Sequence, residues 1–371
     1  MADIKTLRKN YRGYPWLLFF AAVSVPIILW ALTLGPAGIS LYDTFCILWG
    51  SLLKGLGRTL FILPKISTLL VSKGAGIIET YPDAYLAIIF QVRLPRIILG
   101  GLVGMSLAVT GGCFQGLFKN PMADPYILGV SSGASLGAAV TIVTGSTLLF
   151  LGANWAVIIM AFSGALLTVS LVYRIARVGG RVPIDSLLLA GIAVASFFTS
   201  IVSFLVILGN EKMHGIMYWI MGSLTGATWS LVLMMLPFSL LGTGVILAHA
   251  RSLNAILLGE EAAQHLGIDV EKIKIRLFTA SSLVVAAAVS VSGVIGFVGL
   301  IVPHAVRLLV GPDHKFLLPL SAAAGGLFLI VCDALARILL APAELPVGIL
   351  TAATGAPFFL WLLRRRRKGF W

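Results

Sequence analysis

The sequence is short of charge. Only 11% of its 371 residues are Asp, Glu, Lys or Arg, while 59% are hydrophobic. A soluble domain carries roughly a quarter charged residues, so a water-soluble globular protein is excluded. Acidic residues are the scarcest: 14 Asp and Glu stand against 27 Lys and Arg, leaving a net charge of +13. In a soluble chain that excess would point to nucleic acid. In a membrane chain it follows from basic residues kept on the cytoplasmic side, and no nucleic-acid partner is expected. Cysteine is limited to Cys46, Cys113 and Cys332. They form no C-x-x-C pair and have no metal-ligand spacing, which argues against disulfides, thiol redox chemistry and a cysteine metal site. No Gly-Lys dipeptide occurs anywhere, so the phosphate-binding loop G-x-x-x-x-G-K-[S/T] is missing and the chain is not itself a P-loop ATPase. With no H-E-x-x-H zinc signature either, neither an enzymatic role nor a bound cofactor or metal is expected.

Long apolar runs are what the sequence has in quantity. About 20 apolar residues cross roughly 30 Å of hydrocarbon. Ten such segments are read near residues 15–34, 94–116, 127–145, 148–172, 186–208, 229–249, 276–292, 295–310, 316–336 and 346–363. The expected fold class is an all-α polytopic membrane protein of about ten transmembrane helices, one transmembrane domain over residues 1–371. Lys5, Arg8, Lys9 and Arg12 precede the first run; no small-x-small cleavage site follows it, so it reads as an uncleaved helix. An even number of spans puts both termini in the cytoplasm. Most basic residues then fall inside, including Arg174, Arg177, Arg251, Lys272, Lys274 and the run from Arg364 to Lys368, in agreement with the positive-inside rule.

Two stretches between spans are long. Residues 36–92, expected outside, hold amphipathic pieces around Leu41 to Leu53 and Ile66 to Ile78 that suit the membrane surface. Residues 250–275, expected inside, read as two short helices broken at Gly259 and Gly267. Such a pair offers a docking surface for a soluble partner; a solvated loop is the plainer alternative.

Small residues recur four apart in the second span, at Gly100, Gly104, Ala108, Gly112 and Gly116, and Gly129, Gly133 and Gly137 follow in the third. Helices in lipid associate by close backbone approach, so these positions predict a tight bundle. Pro121 and Pro125 enforce a rigid turn at the inner end of the second span. Gly293, Gly296, Gly299 and Pro303 predict an irregular connection between the seventh and eighth spans. Breaks of this kind occur on transport pathways and also as plain structure. Among ionisable residues inside the membrane, His304 and Asp333 stand out; a structural histidine and an intrahelical Asp333–Arg337 pair are the simpler accounts. Met213, His214, Met217 and Tyr218 are either soft ligands at the outer mouth or packing residues.

Three functions remain compatible with these features: a permease that borrows an ATPase, an ion-coupled secondary carrier, and a membrane enzyme or structural assembly factor. Few buried charges argue against the carrier. The motifs favour the first. Arg93-Leu-Pro-Arg96, Gln115-Gly-Leu-Phe-Lys-Asn120-Pro121-Met-Ala-Asp124-Pro125, Leu128-Gly-Val-Ser-Ser-Gly133, Tyr218-Trp-Ile-Met-Gly222, Leu257-Leu-Gly-Glu260-Glu261-Ala-Ala, Gly296-Phe-Val-Gly299 and Ala341-Pro-Ala-Glu344-Leu-Pro346 together resemble the FecCD-type permeases, the membrane subunits of type II ABC importers for iron-siderophores, haem and cobalamin. The resemblance runs from about residue 90 to the C-terminus; residues 38–90 depart from it.

The resemblance implies a homodimer with a central path for a metal chelate, two ATPase subunits that bind the ATP, and an extracytoplasmic substrate-binding protein, all at a bacterial or archaeal cytoplasmic membrane. It implies that Arg93, Arg96 and Arg337 meet acidic residues of the binding protein. It places an inner gate at Asn120, Met122, Ile184 and Asp185. Contact with the ATPase falls to Leu257, Gly259, Glu260, Glu261, Ala262, Leu266 and Gly267, with membrane lipid around the whole.

Overall fold

A computed structural model of the chain describes residues 13–35, 37–59, 64–145, 152–177, 179 and 182–366. Lys5, Arg8, Lys9, Arg12, Lys368 and the start of the expected 148–172 span lie outside the described residues. Among the described residues every regular element is helical. The helices are α1 (Gly13–Thr33), α2 (Leu41–Thr59), α3 (Pro64–Glu79), α4 (Asp83–Leu117, with a π-helical stretch at Ile88–Arg93), α5 (Val130–Thr144), α6 (Gly152–Ala176), α7 (Ile184–Leu208) and α8 (Met213–Ile220). Then come α9 (Trp229–Ala248), α10 (Ala250–Leu258), α11 (Glu260–His265), α12 (Val270–Ser292), α13 (Val298–Val310), α14 (His314–Ala336) and α15 (Val347–Arg366). Seven of these are long and apolar enough to cross a membrane; α5, α13 and the apolar part of α15 are shorter. Each of these ten helices overlaps one of the ten expected segments, although α4 begins well before the expected residue 94, at Asp83.

Helix α4 is the hub. It packs against α14, α13, α9, α12, α10 and α1, and 83% of its most apolar stretch is buried. Its glycines make this possible. A Cβ at Gly104 would run into the Gly325 carbonyl of α14, and one at Gly111 into the Gly299 carbonyl of α13. Between apolar helices in lipid there is little hydrophobic drive to associate, so dispersion contact at this separation carries the association. Ser106 Oγ donates to Ser239 Oγ at 2.9 Å across the α4–α9 contact.

The boundaries differ from the sequence expectation where caps act. α12 begins at Val270, about two turns before the expected 276, because the Asp269 side chain accepts the Lys272 amide and caps the helix. α5 begins at Val130, since Asp124 caps a 3-10 turn at Pro125–Leu128 and Gly129 is left-handed. α13 begins at Val298, after Phe297 at φ 69°. The outer segment is a hairpin: α2 packs on α3, with Gly50 and Gly74 at the closest approach.

Gly104→Leu should cost well over the ~1–3 kcal/mol of ordinary overpacking, because backbone on both sides must move. The expected readout is loss of the monodisperse peak in detergent size-exclusion. Gly101→Ala, at a position whose nearest neighbour is the tip of Ile330, should remain folded in the same measurement.

Candidate functional site

The three arginines assigned to docking converge at the outer end of the bundle. Arg93 and Arg96 lie one turn apart on α4, and Arg337 terminates α14. Their side chains are only 4–5% exposed, and most of their donors are used internally, Arg93 Nη2 being without an acceptor. Arg93 Nη1 donates to the carbonyls of Leu32 (2.6 Å) and Thr33 (3.1 Å). Arg337 Nη1 and Nη2 donate to the carbonyls of Leu34 and Ala31, each at 3.0 Å. The four carbonyls from Ala31 to Leu34 are those left without helical partners where α1 ends. Two guanidinium groups thus cap the negative end of that helix. In the single chain these two cations close the first helix onto the bundle.

Arg96 has acidic partners instead. Its Nε lies 2.9 Å and 3.0 Å from the two Asp333 oxygens, and its Nη1 lies 2.8 Å from Glu344 Oε2. The expected intrahelical pair also exists, with Arg337 Nε 3.4 Å from Asp333 Oδ2, but the interhelical pair is the tighter one. Glu344 accepts a further hydrogen bond from Thr225 Oγ1 at 3.1 Å. Thr225 Oγ1 lies 2.8 Å from Ser223 Oγ and 3.4 Å from the Tyr218 hydroxyl. A polar chain therefore links α4 and α14, through the 337–346 loop and the 221–228 loop, to α8. Beyond Tyr218 lies a cavity of about 840 Å³ between α5, α6, α8, α9 and α12, lined by Asn154, Trp155, Tyr218, Trp219, Ser223 and Ser292 among others. Met213, Met217 and Tyr218 are exposed on α8, not packed in the core.

At the inner end, Asn120 and Met122 sit on the turn after α4. The Asn120 side chain accepts the Met122 amide at 2.9 Å, an Asx turn, and the Asn120 carbonyl accepts the Ala123 amide at 3.1 Å. The chain then folds back along α4: Pro125 packs on Gly299, and the Tyr126 hydroxyl donates to the Ile295 carbonyl at 3.1 Å. Because Gly299 itself lies against Leu107 and Gly111, the starts of α5 and α13 meet alongside the middle of α4. Irregular backbone at that depth is tolerated only where protein surrounds it. Ile184, at the start of α7, shares a small apolar groove with Leu117 and Phe118 from the end of α4. Asp185 is exposed in the first turn of α7. The four gate residues thus lie on two elements that are neighbours within one chain.

The coupling segment is two helices, α10 and α11, broken at Gly259 (φ 133°) and followed by Gly267 (φ 78°). Ala255, Ile256, Ala263 and Val270 form its small core. Asn254 Nδ2 donates to Asp313 Oδ1 at 2.6 Å, fastening α10 to the start of α14. Glu260 is engaged with Lys274 at 2.7 Å and acts as an internal brace. Leu257 is half-buried, whereas Glu261, Ala262, Leu266 and Gly267 are exposed. The most outward apolar groups are Leu258 and Leu266, at 78% and 67% exposure. Sequence reasoning misses Leu258, although it stands inside the quoted motif. It also misses Glu344, Thr225 and the Gln115–Arg307 pair (3.0 Å); only their places in motifs signal them.

The fold and these sites define a polytopic permease of the ABC-importer type. The sequence matches the FecCD transport family over residues 22–365, and the chain belongs to that family. It is 43% identical to the cobalamin import system permease protein of Halobacterium salinarum, over 96% of this chain and 97% of that one. It is also 43% identical to the hemin transport system permease protein of Yersinia pestis, over 77% of this chain and 86% of that one. A solved structure of a metal-chelate type ABC transporter in an inward-facing conformation superposes with a TM-score of 0.71 at 34% identity, covering 76% of this chain and 89% of that chain.

Arg96→Leu should destabilise the chain by about 3–5 kcal/mol, because Asp333 keeps only the longer contact to Arg337 (3.4 Å) and Glu344 loses its cation. Adding Asp333→Leu should recover a large part of the loss. Thermal unfolding in detergent measures both; equal midpoints for wild type and the single variant would contradict the pairing.

Proposed function

We propose that this permease, with a second copy of itself, forms the translocation path of an importer for cobalamin. The observation that carries the reading is the relation to the cobalamin permease, which extends over 96% of this chain; the equally identical hemin permease aligns over 77%. Haem is the second reading. In this scheme the chain sits in the cytoplasmic membrane, and ATP is hydrolysed by two partner subunits, not by the permease.

Each site then has a part. A substrate-binding protein docks on the outer face, above the buried Arg93, which has no acidic partner among the described residues and becomes reachable through its unused Nη2 only when the end of α1 shifts. Arg96 and Arg337 hold the floor beneath. The Asx turn at Asn120 and Met122, with Ile184 and Asp185, forms the inner constriction when two copies face each other. The exposed face of α10 and α11, centred on Leu258 and Leu266, receives the ATPase. The Asn254–Asp313 bond carries displacement of α10 into α14, and hence to the helix that bears Asp333.

In proteoliposomes containing the permease, its ATPase and its binding protein, labelled cobalamin should accumulate only with ATP and should be unaffected by a protonophore. Uptake that collapses with the proton gradient and persists without ATP would establish a secondary carrier; hemin uptake without cobalamin uptake would select the haem reading. Leu258→Glu with Leu266→Glu should reduce co-purification of the ATPase at least tenfold, equivalent to about 1.4 kcal/mol, while the permease remains monodisperse. Undiminished co-purification would remove these helices from the interface.

A further inference from the structure

Helix α2 is built the wrong way round for water. Its buried residues are Thr44, Ile47, Gly50 and Gly57, a mostly small and polar set that faces α3 and the start of α4. Its exposed side holds Leu41, Tyr42, Phe45, Trp49, Leu52 and Leu56, each between 44% and 74% exposed. At 100° per residue these six fall within about one quadrant of the helix. No charged residue interrupts them: Asp43, Lys54 and Arg58 project from the other side. Phe45 and Trp49 stack, with ring planes 9° apart and centroids at 6.2 Å. Half-exposed side chains of this size present on the order of 500 Å² of continuous apolar surface, more than a water-facing surface normally leaves uncovered.

The position of the stripe says what covers it. α2 rests on the outer end of α1, where Leu48 packs beside Ala31 and Leu32. α1 is the least buried of the long apolar helices, at 11% of its span, and exposes Leu18, Phe19, Val25 and Trp30. Its exposed apolar face suits contact with hydrocarbon. The α2 stripe continues that lipid-facing surface at its outer rim, where tyrosine and tryptophan are favoured. The neighbouring cations Lys54, Arg58 and Lys73 outnumber Asp43 and Glu79 on the described part of the hairpin, which matches anionic headgroups.

We infer that the α2–α3 hairpin is an interfacial anchor seated in the outer lipid leaflet through the Phe45–Trp49–Leu52–Leu56 face. It is a lipid-binding element, not a docking element for the binding protein. Through Leu48 it contacts the end of α1 that Arg93 and Arg337 cap, and through Ile47 it packs on Ile89 near the start of α4.

Spin-label accessibility tests this on the full chain in nanodiscs of equal parts phosphatidylcholine and phosphatidylglycerol, without substrate or ATP. In a Cys46→Ser background, single cysteines replace Phe45, Leu52 and, as a polar exposed control, Glu79. Cys113 and Cys332 are buried. Labels at 45 and 52 should collide with oxygen several-fold more than with a water-soluble nickel chelate, and the label at 79 should show the reverse. Nickel access at 45 and 52 would place the stripe in water and overturn the inference. Exclusion of both reagents would overturn it in favour of a protein cover, either a second copy or another subunit. Because the readout is lipid contact and not transport, its failure is separate from failure of the cobalamin assignment. Phe45→Trp, which keeps the stripe apolar, should leave the accessibility at 52 unchanged.

Discussion

The structure depends on how closely α4 and α14 can approach. In a membrane, apolar side chains gain little by leaving lipid for protein, so two helices stay together only through dispersion contact and polar bonds made at short range. Gly104 against Gly325 supplies the first, and Arg96 with Asp333 supplies the second at the outer end of the same contact. A side chain at either glycine would separate the helices and stretch the ion pair. A missing partner in the ion pair would leave a charge in a low-dielectric setting that the glycines cannot compensate. The two features are therefore one constraint.

From that contact the functional regions follow outward in both directions. Toward the outside, the carboxylates that hold Arg96 also reach Thr225 and, through it, the 221–228 loop and α8. Toward the inside, the same α4 ends in the Asn120 turn, and α14 begins at the Asp313 cap that Asn254 of α10 grips. A rigid central pair with a polar network at one end and a fastened surface helix at the other is an arrangement in which displacement at one face is felt at the other, because packed cores transmit strain. The half-length helices α5 and α13, whose irregular starts meet beside Leu107 and Gly111, are enclosed by the same packing.

Much of the fold is legible in the residues. Hydrophobic run length locates the ten helices, and glycine spacing identifies α4 as a packing helix without knowledge of its partners. Gly259 and Gly267 mark the breaks in the coupling segment, and both have positive φ. What the residues conceal shares a physical origin. Arg93 and Arg337 read as cations available to a docking partner, yet they satisfy carbonyls roughly 60 and 300 residues away; nothing local to an arginine reveals a distant helix terminus. Asp333 looks like the partner of Arg337 because they are one turn apart, whereas its bidentate partner is on another helix. The helix boundary moves by more than a turn at the Asp269 cap, and by less than a turn near Asp124 and Asp313.

By itself, the sequence determined the class of this protein: long apolar runs and few charges leave only a membrane chain, and small residues in register require a tight bundle. These are consequences of composition and short-range periodicity, which act within a turn or two of helix. Only the tertiary structure decided which charges are spent inside and which are free, that α2 turns its aromatic side outward, and that the chain re-enters the bundle before α5. Those outcomes depend on which helix ends, carbonyls and carboxylates are brought together across hundreds of residues, and the energy of a buried donor or charge is set by the partner it meets there.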